Sequence, residues 1–118
     1  MKAAIAACKG RICQRLDCAD KLIVFDVRNA RTVDRHNLDL SEWPVHGRAG
    51  RIVSLAVELL ICGAISNFDE AGLDNSNVRL ISGVTGPVDA VIAAVLTGAI
   101  APGQSYWEGR LDARRQDA

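Results

Sequence analysis

Apolar and polar positions alternate along this chain between strand-like and helix-like periods. Lys2 to Ala7 is a run of small apolar residues suited to the crowded centre of a sheet. Arg11 to Ala19 is polar and punctuated by cysteines, and it reads as a loop. Lys21 to Val27, "KLIVFDV", is β-branched and aromatic and predicts a strand. Thr32 to Leu40 alternates weakly around Asp34, Arg35 and His36, as an edge strand with one wet face does. Pro44, Gly47 and Gly50 then break the pattern. Arg51 to Leu60 predicts a helix, because Ile52, Leu55, Ala56, Leu59 and Leu60 recur at the spacing of one buried face.

Beyond it, Leu60 to Ile65 reads as a short buried strand, Asn67 to Leu73 as a short helix capped by Asn67, and Val78 to Val84 as another strand. A last helix opens with Gly86 at the cap, Pro87 in the first turn and Asp89 near the positive end of the dipole. Val88, Val91, Ile92, Val95 and Leu96 form its core stripe, and Gly98 stops it. The first three strands have short connections and predict an antiparallel meander; the later two are joined through helices and predict parallel neighbours. The expected fold class is α/β: a mixed five-stranded sheet, antiparallel then parallel, flanked by helices.

The 118 residues suffice for one domain with one core. That domain is expected over residues 1–101, with 102–118 as a polar tail whose Tyr106-Trp107 pair packs back on the body. Hydrophobic residues make up 49% and charged residues 24%, the balance of a globular protein, and no apolar run is long enough to span a bilayer. The short apolar run near the start lacks the length and cleavage site of a secretory signal, so a mature cytoplasmic protein is expected. A formal net charge of zero argues against nucleic-acid binding driven by bulk charge.

Candidate chemistry concentrates in "CKGRICQRLDC". Cys8, Cys13 and Cys18 follow the first strand at C-x4-C-x4-C spacing, and the fourth cysteine, Cys62, lies near the end of a later strand. In a reducing compartment, clustered cysteines bind metal or do redox work more often than they form structural disulfides. In an open sheet, ligands bind at the carboxyl ends of parallel strands. Four loops should share that edge: Cys8 to Cys18, Val45 to Gly50, Cys62 to Asn67, and Ser82 to Gly86. Cys8, Cys13, Cys18 and Cys62 are the candidate metal ligands, with His46 in reach. Lys9, Arg11 and Arg15 interleave with the thiols, Arg48 and Arg51 follow His46, and such a rim would neutralise an anionic metal–sulfide cluster. The spacing is too wide for a zinc ribbon and matches no ferredoxin run. Against this stand plainer readings: buried cysteines as small hydrophobes, and the lysines and arginines as ordinary solvated surface. "SGVTGP" could cradle a phosphate, but serves equally as a helix-capping loop. No Walker A, dinucleotide fingerprint or nucleophile elbow is present.

Three segments resemble the dinitrogenase iron–molybdenum cofactor biosynthesis family, which includes NifX-like proteins, the C-terminal domain of the NifB-type synthase and the molybdenum–copper orange protein. They are "ICQRLDCADKLIVFDV", "VHGRAGRIVSLAVELLICGAIS" and "VRLISGVTGPVDAVIAAVLTGAI", and the likeness extends over residues 1 to about 101. The resemblance implies an RNase H-like fold and a non-enzymatic role in binding, carrying or storing Fe–S or molybdenum-containing sulfide clusters. Its implied partners are the cluster and a donor or acceptor protein, and a homodimer is compatible with it. His46 and Gly47 match the family's His-Gly, and with Lys9, Arg11 and Arg15 are the expected cofactor-contacting residues. The departures point to thiolates. Cys13 stands where Ser is usual, Gln14-Arg15-Leu16-Asp17 replaces Pro-His-Phe-Gly, Cys18 replaces Arg, and Cys62 takes the first Gly of Gly-Gly-Ile-Gly.

Other classes use the same residues differently. A zinc-binding or thiol-redox regulatory module would use the same cysteines, and an interaction domain would leave them inert. A nuclease on this topology would need a carboxylate on strand one, and "KAAIAA" has none.

Overall fold

A computed structural model describes residues 1–45, 47–74 and 76–106. Strands β1 (Lys2–Cys8), β2 (Arg11–Ile12), β3 (Lys21–Arg28) and β4 (Arg31–Asp39) come first. They are followed by helix α1 (Arg48–Val53), β5 (Leu59–Ile61), α2 (Asn67–Leu73), β6 (Arg79–Ile81) and α3 (Val88–Thr97). The sheet runs β4-β3-β1-β5-β6, with β2 paired to β1. β1, β3 and β4 are successively antiparallel, while β1, β5 and β6 are parallel. The mixed α/β architecture is therefore the expected one. The sixth strand is the two-residue β2, which the polar sequence after β1 had suggested to be loop.

The small residues of β1 follow from its central position. Ala3, Ala4, Ile5 and Ala6 are all fully buried, because both faces of this strand are covered. Ala3, Ile5 and Ala7 face a layer containing Val88, Val91, Ile92 and Val95 of α3. Ala4 and Ala6 face the other layer, with Ala49 and Ile52 of α1, Leu73 of α2, and Cys13 and Leu16 of the loop after β2. Alternate residues thus feed two cores on opposite sides of one sheet.

The helix expected over Arg51 to Leu60 is displaced. It starts at Arg48, after Gly47 at φ 82°, and ends at Val53; Ala56 then turns the chain at φ 61°. Leu59 and Leu60 belong to β5 and point into opposite cores. Their helical spacing is overridden because β5 completes the hydrogen bonding of central β1. The strands expected over 60–65 and 78–84 are likewise trimmed to three residues each. Pro87, rather than Gly86, is the N-cap of α3, and Gly98 ends that helix in the left-handed conformation as expected. Past residue 101, Thr85 and Ser105 form a bridge and the Tyr106 hydroxyl donates to Ala99 O. Trp107 and the rest of the expected tail lie outside the described residues.

Candidate functional site

The cysteine segment is a ribbon that folds back on β1. Lys9 (φ 54°) and Gly10 (φ 77°) make the two-residue turn, with both residues left-handed as tight hairpins require. Ala7 then faces Ile12, Cys8 faces Arg11, and the amide of Cys13 donates to Ala6 O at 3.1 Å. This register sets Cys8 and Cys13 diagonally on one face of the ribbon. Neighbouring Cys13 is the main reason the Cys8 thiol is pushed up to about 11; burial and the negative charge of Asp20 add, and Lys9 opposes. Cys8 is half-buried and Cys13 is buried.

Three further strand-end loops meet this ribbon. Ile12 N donates to Gly86 O at 2.9 Å, and Val88 N donates to Gly10 O at 2.9 Å. Ala64 N donates to Gln14 O at 2.7 Å, and Leu16 N returns a bond to Ala64 O at 2.9 Å. The backbone of Gly63 passes so close to the carbonyls of Cys13 and Gln14 that no Cβ fits there. The fourth loop enters through Arg48, whose guanidinium donates to Leu16 O, Ala19 O and Leu40 O at 3.1, 2.7 and 3.2 Å. The turn Leu16–Cys18 is thereby held between β1, β5 and α1, and it presents Cys18 to solvent.

The result is a half-open groove of about 530 Å³. Its lining includes Cys8, Cys13 and Cys18 together with the cationic residues Lys9, Arg11 and Arg15. Arg15 also pairs with Asp17 at 3.1 Å and lies beside Cys18; the bond and charge of Asp17, then Cys18, hold its guanidinium above its ordinary pKa.

Cys62 does not line this groove. It is wholly buried, and burial above all, with Asp69 and Glu70 behind it, pushes its thiol up to about 12. Gly47 serves as the left-handed cap of α1, and His46 lies outside the described residues. Among the described residues, no three His, Cys, Asp or Glu side chains converge as they would around a single metal ion. Two members of the expected cationic rim are used elsewhere: Arg48 is turned inward, and Arg51 stacks over Trp43 at 4.8 Å. Sequence reasoning missed the structural role of Arg48. The available signal was its spacing of four from Ile52, which places both on the buried face of α1.

Fold and groove together define a mixed-sheet α/β domain with a thiol-lined site at the carboxyl edge of its strands. No family model matches the sequence, and no curated protein matches it significantly. Solved structures share the fold. The crystal structure of PH0822 superposes with a TM-score of 0.78 at 15% identity, covering 86% of this chain and 94% of that one. A Methanocaldococcus jannaschii protein provisionally named a dinitrogenase gives 0.71 at 17% identity, covering 86% and 92%. A Thermotoga protein provisionally named NifB gives 0.64 at 20% identity, covering 92% and 98%.

Proposed function

We propose that this chain binds, carries or stores a metal–sulfur cluster, of Fe–S or molybdenum-containing type, without transforming it. The observation that carries this reading is the grouping of three cysteines with three cationic residues around one half-open groove. Thiolates are the preferred ligands of soft metals and Fe–S clusters, and the cations favour an anionic cargo. A polynuclear cluster is several ångströms across, so it can accept thiolates too widely spaced to meet on one ion. That favours a cluster over a lone zinc ion. Openness to solvent suits a cargo that must be received from one protein and passed to another. The names of two fold relatives, one a dinitrogenase and one NifB, point toward the same iron–molybdenum cofactor theme. Binding would release protons, since Cys8 is held in its thiol form. Cytoplasmic residence and a donor or acceptor protein belong to the same proposal.

The test is anaerobic purification followed by a visible spectrum and analysis for Fe, Mo, Cu, Zn and sulfide. Visible absorption accompanied by metal and sulfide, and lost in the double variant Cys13→Ser/Cys18→Ser, is the expected result. Zinc alone would favour a regulatory module. A colourless, metal-free protein that also refuses Fe–S and thiomolybdate reconstitution would remove the cluster reading.

A further inference from the structure

We propose that Cys8 and Cys13 are an oxidisable pair that closes into an intramolecular disulfide, with a small-molecule disulfide as the oxidant. The geometry starts from the hairpin register. Ala7 faces Ile12 and Cys8 faces Arg11, so Cys13 sits one diagonal step from Cys8 on the same ribbon face. The right-handed twist of a two-stranded ribbon draws this diagonal together. Both residues border the same groove, so side-chain rotation with a small closing of the ribbon supplies the remaining approach. Cys18 has different company: its neighbour is the Arg15 guanidinium. Cys62 is sealed in the core.

The step balances as two exchanges. The thiolate of half-buried Cys8 attacks one sulfur of the oxidant, whose S–S bond breaks and releases one small thiolate. The Cys13 thiolate then attacks Cys8 Sγ, forms the protein S–S bond and releases the second. Each departing thiolate takes up a proton equivalent to one lost from a cysteine. The protein loses two hydrogens and two electrons, and the oxidant gains them. One consequence rests on the cargo reading: the bond removes two of the groove's three thiols as ligands, so oxidation would prevent loading.

The experiment exposes the full-length, metal-free protein to oxidised glutathione at about pH 8.5, followed by intact mass and peptide mapping. The expected product has a map that joins Cys8 to Cys13, with the loss of two hydrogens on that linked pair, while exposed Cys18 stays outside the link, either free or carrying a glutathione of its own. Cys18→Ser should oxidise in the same way. Cys13→Ser should stop at a glutathione adduct on Cys8. A link through Cys18, a lasting glutathione adduct on wild-type Cys8, or an unchanged mass would each overturn the proposal. Cluster reconstitution of the oxidised protein separates the two readings. If the disulfide forms but loading is unimpaired, the pair is oxidisable and the assignment of these thiols as cargo ligands fails.

Discussion

The guanidinium of Arg48 and the carbonyl of Ala19 meet at 2.7 Å in the interior, joining the first turn of α1 to the end of the cysteine loop. The same group reaches Leu16 O, Leu40 O and, through Nε, Pro44 O, so one buried cation satisfies four carbonyls. Arg48→Met would strand those carbonyls away from water. It should destabilise the fold by about 3 kcal/mol in denaturant unfolding, with Arg48→Lys recovering only part, because an ammonium lacks the planar fork. A loss below about 1 kcal/mol would mean that water replaces the guanidinium.

Gly63 and Gly50 make a contrasting pair. A Cβ on Gly63 would run into the backbone carbonyls of Cys13 and Gln14, which cannot swing aside as a side chain can. Gly63→Ala should cost ~3 kcal/mol and displace the cysteine loop. Gly50 lies within α1, and a Cβ there meets nothing within 4 Å. Gly50→Ala should therefore gain roughly 0.5 kcal/mol from helix propensity and reduced unfolded-state freedom. Thermal unfolding of both variants checks the ordering.

Alkaline pH should act on the core through Cys62. Its thiol stays protonated in the fold up to about 12, whereas an ordinary thiol releases its proton near 9.0. Between these values the unfolded chain holds fewer protons than the folded one. Stability fully present below about 9 is therefore lost as pH rises. The loss from this group should approach ~2 kcal/mol by about pH 10.5. Comparing Cys62→Ala with the parent at pH 7 and at high pH isolates the effect, since the two proteins differ in this one group. An identical alkaline slope in the two proteins would argue against it.

Thiol labelling should follow the same physical order. Cys18 is exposed and should react first with a small alkylating agent; Cys8, held up to about 11, should follow slowly; Cys62 should react only on unfolding. The rate at Cys8 should rise nearly tenfold per pH unit between about 8 and 10 as thiolate accumulates. Site-resolved mass spectrometry gives the rates, and fast labelling of Cys8 at neutral pH would contradict its environment.

Tyr106 tests how far the packed body extends. Its hydroxyl accepts from Ala101 N at 2.8 Å and donates to Ala99 O at 3.1 Å, while its ring packs on the α3-side core. Tyr106→Phe should cost about 1 kcal/mol. Truncation after Ala101 should cost more, because it also removes the ring and the backbone bonds from Gly103 to Ser82 and from Tyr106 to Thr85. Equal stabilities of the truncated and intact chains would place the boundary at residue 101.

Much of the architecture was legible before folding. Short links between the first three strands and helical links between the later ones determine which neighbours are antiparallel and which parallel, because chain reach and handedness leave few alternatives. The alanines of β1 mark the strand with both faces covered, and that topology brings the cysteine loop to the carboxyl edge. What local pattern could not decide was settled by competition at a distance. Leu59 and Leu60 satisfy a helical period and a strand equally well, and only pairing with β1 resolves them. Cys62 resembles the other cysteines in the sequence, yet β5 carries it into the core. Arg48 and Arg51 look equivalent, but the facing carbonyls take one guanidinium and Trp43 takes the other. The diagonal placement of Cys8 and Cys13 depends on a left-handed turn at Lys9 and Gly10 that lacks the usual asparagine or aspartate signal. Periodicity reports which residues seek burial; the partner that receives each one exists only once the sheet has assembled.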